Sequence, residues 1–91
     1  EVPVPNKDGL KQIFRIHTKD MNLSKKMDKD KILRLMKGFS GAEVKATCME
    51  AGYFAIREDR IQIKYDDIVK AIEKVRQTEE REGSDYLRMF G

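Results

Sequence analysis

Few side chains in this chain could do chemistry. There is one histidine, His17, and one cysteine, Cys48. A neutral imidazole offers one hydrogen-bond donor and one acceptor. Cys48 falls in a helical apolar stripe, where a thiol reads as a small core hydrophobe rather than a nucleophile. The sequence has no G-x-x-x-x-G-K-[ST] loop to cradle phosphates and no apolar strand ending in paired acids to hold magnesium. It has no Cys/His cluster with metal-ligand spacing and no usable Ser-His-Asp set. Ser40-x-x-Glu43 has the form of a capping box, in which hydroxyl and carboxylate each satisfy a free amide at a helix start. Lys25, Lys26, Lys29, Lys31, Arg34 and Lys37 form a basic cluster that could attract phosphate. Asp28 and Asp30 interrupt it and no aromatic is interleaved, so it reads as a solvated helix face. Met89-Phe90-Gly91 closes the given sequence with an apolar residue, an aromatic and a glycine.

The element these residues depend on runs from Gly38 to Arg60. Behind the capping box, Val44, Cys48, Ala51 and Ala55 recur at helical spacing, and Ala42, Met49, Gly52 and Ile56 widen the stripe. Most are small, so neighbouring backbones can come close and the helix, Gly41 to about Glu58, should pack centrally. Upstream, Glu1–Pro5 reads as an extended segment because proline removes backbone donors. Asn6 can cap a helix to about Lys19 whose stripe is Leu10, Ile13, Phe14 and His17, with Ile16 off it. On pattern alone His17 is a satisfied histidine on an apolar face. Asn22–Lys26 is a polar connection. A second helix is expected from about Asp28 to Lys37, with Ile32, Leu35 and Met36 inward and Gly38 as a left-handed cap. Ile61-Gln62-Ile63 reads as an extended crossing that buries two isoleucines. Tyr65-Asp66-Asp67 opens a fourth helix with acids suited to its dipole. Ile68, Ala71, Ile72 and Val75 form its stripe to about Arg81. Gly83-Ser84 is expected to break it, leaving 85–91 as a short tail.

Ninety-one residues suit one domain near the small end of independent stability. With 40% apolar residues the chain can build a core despite 38% charged residues. A single cysteine allows no internal disulfide. No apolar run approaches a membrane span and no signal peptide is visible, so cytoplasm is the default. The start at Glu1 rather than Met suggests a piece of something longer. The net charge of +3 is uneven, with ten basic against five acidic residues up to Phe39.

Two stretches carry a family resemblance. Ser40-Gly41-Ala42-Glu43 with Ala46, Glu50-Ala51-Gly52 and Ala55-Ile56-Arg57 resembles the C-terminal lid of AAA+ ATPases. Ile13-Phe14-Arg15-Ile16-His17-Thr18-Lys19 and Met21-Asn22-Leu23 resemble the I-x-x-I-H-T-K-x-M-x-L stretch of the same family. Glu1–Pro5 resembles the segment leaving the last strand of the large ATPase subdomain. The likeness runs from Glu1 to about Val75 and is greatest to the archaeal proteasome-activating nucleotidases and the ATPases of the proteasome's regulatory particle. Either stretch alone is weak; the two at this separation are specific.

The resemblance implies an all-α fold, a compact four-helix lid bundle with a short extended N-terminal segment. Residues 1–6 would be the linker from the large subdomain, 7–82 the lid and 83–91 a C-terminal tail. It implies a share of an ATP/ADP site completed by the large subdomain, which would also hold Mg2+. Ile13 would pack on the adenine ring and His17 would meet the adenine–ribose region. Gly41 and Ala42 would let the helix backbone and its free amides approach the nucleotide. Many AAA+ relatives carry an arginine sensor at this helix start; here it is Gly-Ala, so the lid would act by position, rotating with nucleotide state. Lacking the phosphate loop, the magnesium acids and the arginine fingers, this chain alone should not hydrolyse ATP.

Met89, Phe90 and Gly91 are similar to the hydrophobic-Tyr-any motif with which proteasomal ATPases dock between α-subunits of the proteolytic core, with Phe90 in place of Tyr. The implied partners are the large subdomain in cis and that of the neighbouring subunit, the proteasome core α-ring, and protein substrates handled by a hexameric ring. The isolated domain should be a monomer without membrane contact. The rival readings are a lid from the valosin-containing-protein branch, a basic helical nucleic-acid-binding module, and a helical adaptor whose apolar tail is its ligand.

Overall fold

The first turn of the first helix is set by Asn6, whose side-chain oxygen accepts from the Gly9 amide at 2.8 Å. In the computed structural model, which describes residues 4–90 and side chains as far as residue 78, this helix (α1) covers Lys7–Thr18. Leu10 and Phe14 are buried along one face, and Thr18 returns its hydroxyl to the Phe14 carbonyl at 2.8 Å. Asp28 then caps α2, Lys29–Leu35, by accepting from the Lys31 amide at 3.1 Å. Gly38, at φ +90°, makes the left-handed turn expected of it.

The buried side of α2 differs from the expected one. Ile32, Leu33 and Met36 are buried and Leu35 is exposed. This short helix packs on both α1 and the fourth helix, so two adjacent residues must turn inward. Leu35 lies about 100° round the helix from the centre of that arc.

Helix α3, Gly41–Arg57, begins with the capping box complete. Ser40 Oγ accepts from the Glu43 amide at 3.2 Å, and the Glu43 carboxylate accepts from the Ser40 amide at 2.9 Å. Ser40→Ala should cost about 1 kcal/mol, read as a lower urea midpoint at unchanged slope. Val44, Cys48, Ala51 and Ala55 are buried as the spacing predicts, and Thr47 joins them with its hydroxyl returned to the Glu43 carbonyl at 2.8 Å. The widening of the stripe is not as expected. Ala42, Met49 and Ile56 are exposed and Gly52 is half-buried. The reason is geometric: α3 packs on α1 and α4, and these two cover the arc that holds Val44, Thr47, Cys48, Ala51 and Ala55 but leave the far side open among the described residues. Met49 and Ile56 lie on the opposite side of the cylinder.

The α3–α4 corner turns at Asp59, whose φ of 56° is left-handed. It is followed by a bend at residues 61–62. Ile63 alone pairs with Leu23 in an isolated parallel bridge, donating its amide to the Asn22 carbonyl at 2.7 Å. Ile63 is buried but Ile61 is 86% exposed, so the crossing hides one isoleucine rather than two. Alternation failed as a guide because the bend breaks the extended backbone on which it depends.

Helix α4 runs Tyr65–Phe90, through Gly83 and Ser84 where a break was expected. A glycine inside a helix costs about 1 kcal/mol relative to alanine but keeps its amide. Neither residue removes a helical hydrogen bond as proline would. Ile68, Ala71, Ile72 and Val75 are buried. The result is an all-α bundle in which α3 lies between α1 and α4, and α2 bridges those two across one end.

Candidate functional site

Three of the four residues proposed to face a ligand lie along the α1–α3 contact. A Cβ built on Gly41 would stand 3.7 Å from Ile13 Cδ1, so the start of α3 abuts the middle of α1. Ile13 is half-buried against the core, with one side still reachable. Further along, Gly52 meets Met21 Cε, so α1 and α3 run side by side in the same direction. His17, one turn beyond Ile13 on the same face, falls between these two contacts and is half-buried. Ala42 is turned the other way. It edges a groove between α3 and α4 lined by Ser40, Glu43, Glu50 and Lys74. Lys74 closes that groove by an ion pair with Glu50 at 2.8 Å.

The helix start offers backbone donors as well as space. The first amides of an α-helix have no partner within it. Among the described residues the capping box engages those of Ser40 and Glu43, leaving the Gly41 and Ala42 amides at the rim. An apolar Ile13, an imidazole with one donor and one acceptor, and two outward amides fit a flat heteroaromatic ring with hydroxyls. They would make one wall of such a site.

Cys48 is not part of this site. It is buried, and loss of solvent pushes its thiol pKa up to about 11, so it is not a nucleophile near neutral pH. Met89 and Phe90 belong to the backbone of α4, their side chains lie outside the described residues, and so does Gly91.

Two features escaped the sequence reading. The outer face of α3 exposes Met49, Tyr53 and Ile56 in one line, 50–66% accessible each. Their spacing of four and three residues is that of a core stripe, which is why pattern alone placed Met49 and Ile56 inside. At the α3–α4 corner, Arg60 grips Asp67 with two nitrogens, at 2.8 and 3.0 Å, and also reaches Glu58 and the Gln62 carbonyl. Nothing in periodicity signals that pairing.

Comparison with known proteins bears on what this wall belongs to. A family profile described as AAA+ lid domain matches residues 27–70. The proteasome-activating nucleotidase of Methanopyrus kandleri is 42% identical over 90 residues, 99% of this chain and 21% of that protein. That of Archaeoglobus fulgidus is 51% identical over 75 residues, 82% of this chain and 19% of its own length. The 26S proteasome subunit RPT4 of Saccharomyces cerevisiae is 39% identical over 90 residues, 98% of this chain and 21% of that subunit. This chain is an AAA+ lid domain. It spans about a fifth of the length of these relatives. The profile match takes in α2, α3 and the start of α4. Among the described residues, no helix of the lid is long and apolar enough to cross a membrane.

Proposed function

We propose that this lid belongs to a hexameric AAA+ ATPase of the cytoplasm that unfolds proteins for a proteasome. In this reading Ile13 and His17 on α1, with Gly41 and Ala42 at the start of α3, cover one side of bound ATP or ADP. The observation that carries it is the abutment of Ile13 on Gly41 at the open start of α3. The similarity of nearly the whole chain to about a fifth of the length of proteins named proteasome-activating nucleotidase supports the setting. The large subdomain, lying outside this chain, would supply the phosphate loop, the magnesium ligands and the arginine fingers. The lid contributes apolar contact to the base, hydrogen bonds from His17 and helix amides, and exclusion of water from that side.

The lid also transmits state. A rigid body that contacts nucleotide in its own subunit and the large subdomain of the next one converts ligand change into ring motion by rotation. The exposed Met49–Tyr53–Ile56 line supports such a contact. A helix apolar on both its inner and outer faces is one made to be covered on both. Met89, Phe90 and Gly91 then dock the ring on the core α-ring.

The test uses the longer parent. His17→Ala should weaken nucleotide binding about tenfold, the equivalent of one or two hydrogen bonds, measured with a fluorescent ADP analogue. Unchanged affinity removes His17 from the site. Parent protein with and without residues 89–91 is then mixed with proteasome core particles, ATP and a fluorogenic peptide. Stimulation that requires the last three residues supports the proteasomal reading. If neither form stimulates, the lid serves an unfoldase of the valosin-containing-protein kind that acts without a proteasome.

A further inference from the structure

The N-terminus of α1 and the C-terminal end of α2 enclose a cleft of about 500 Å³. Its walls are apolar: Val4 and Pro5 from the segment entering α1, Leu10 from α1 and Leu33 from α2. Its charged lining is entirely cationic, namely Lys7, Arg34 and Lys37. Among the described residues none of these three makes an ion pair, and all are exposed. One cation thus comes from α1 (Lys7), one from α2 (Arg34) and one from the turn that follows α2 (Lys37), around a pocket floored by leucines. Val4, at its mouth, is 58% exposed, a large apolar side chain with nothing laid over it among the described residues.

We infer that this cleft docks an acidic polypeptide segment of a partner protein, with one apolar side chain seated between Pro5, Leu10 and Leu33 and carboxylates meeting Lys7, Arg34 and Lys37. Charge complementarity selects the occupant. Three unpaired cations around an apolar pocket match an anionic chain that also carries a hydrophobic anchor. A nucleic acid fits less well, because the lining has no aromatic side chain on which a base could stack. The cleft differs from another lysine-bearing hollow, formed by Lys25, Lys26 and Lys64. That one includes the carboxylate of Asp66 and is lined mostly by polar groups, so it serves as an internal control.

The experiment uses the 91-residue chain itself. A fluorescein-labelled 12-residue peptide, with Glu and Asp flanking a Leu-Phe pair, is titrated by anisotropy, and its footprint is read from amide shifts in 15N-labelled protein. Binding should weaken about tenfold between 50 and 300 mM salt, with shifts centred on Lys7, Leu10, Arg34 and Gly38. The double variant Arg34→Glu/Lys37→Glu, with both changes at exposed positions, should weaken binding at least about tenfold while leaving the thermal midpoint of the fold in place. Val4→Ser should weaken it about threefold by removing apolar contact without touching charge. Equal shifts around Lys25, Lys26 and Lys64 would overturn the assignment, because the attraction would then be to net charge rather than to this cleft. So would equal affinity for a peptide with the Leu-Phe pair replaced by serines, or tighter binding of a single-stranded oligonucleotide, or no binding of the acidic peptide at 50 mM salt.

Discussion

Phe39→Ala should leave the domain at the edge of unfolding at 37 °C. Phe39 is 2% exposed and sits where α2 hands over to α3, its amide donating to the Met36 carbonyl at 2.9 Å. Removing a buried phenylalanine ring costs about 3–5 kcal/mol, because transfer energy is lost and the cavity collapses only in part. A domain of this size has about 5–10 kcal/mol in total. A second loss compounds the first. The Arg76 guanidinium lies over the ring, 4.7 Å from its centroid, and from there donates to the Leu35 and Lys37 carbonyls at the end of α2. Without the ring, Arg76 loses the surface that holds it in place, and the tie between α4 and α2 loosens. Urea denaturation followed by far-UV circular dichroism should show the midpoint falling by about half, with Phe39→Leu recovering most of it through restored volume. A loss below about 1.5 kcal/mol for Phe39→Ala would mean that the α2–α3 junction repacks, and that Phe39 is not what fixes it.

The contrast between Phe39 and Ile61 shows what the sequence could and could not tell. Features set by local chemistry were legible. The Ser40/Glu43 box, the Asn6 cap and the Gly38 turn each depend on residues within four positions, and each forms where the spacing places it. The family likeness was equally legible, because it rests on residue types at fixed positions. Which face of a helix is buried was only half legible. Periodicity finds an apolar stripe but not the number of stripes that will be covered. α3 carries two, and this chain covers only the one holding Val44, Cys48, Ala51 and Ala55. The other, Met49–Tyr53–Ile56, looks the same in sequence because periodicity records where apolar residues fall and not whether they are covered. Leu35 against Leu33 was a matter of which neighbours α2 would have, a tertiary fact. The cationic cleft was invisible for a like reason. Lys7 and Lys37 are far apart in the chain, and only the α1–α2 packing brings them around Leu10 and Leu33.

The Arg60–Asp67 clamp, which joins residues seven apart across one corner, has the sharpest consequence, and it can be titrated. The Asp67 side chain is 3% exposed and accepts three hydrogen bonds, two from Arg60 and one from the Lys64 amide at 2.8 Å. The Arg60 bonds first, then the backbone amide and the guanidinium charge, hold its carboxyl below the usual carboxylate range against the opposing effect of burial. A carboxylate whose pKa is depressed by folding adds stability that is fully present above its unfolded value, near pH 4. That stability is lost as pH falls through the lower, folded value. Asp67→Asn keeps the shape but offers one acceptor where the carboxylate offered two, and turns an amide N–H toward the guanidinium. At pH 7 the variant should be less stable by about 2 kcal/mol, the scale of hydrogen bonds to a charged, buried acceptor. As pH falls from about 4 toward 2, wild type should lose its advantage and the two urea midpoints should converge. Because the pair is enclosed, 0.5 M salt at pH 7 should leave most of the difference standing. A gap that stays constant with pH would assign the loss to packing rather than charge. The clamp also matters to the proposed mechanism. A lid that works by rigid rotation must keep a fixed angle between α3, which starts at the proposed nucleotide side, and α4, which leads to the proposed docking tail. Arg60 and Asp67 pin the corner where that angle is set. In the longer parent, Asp67→Asn should therefore lower core-particle stimulation more than it lowers nucleotide affinity, whereas His17→Ala should do the reverse.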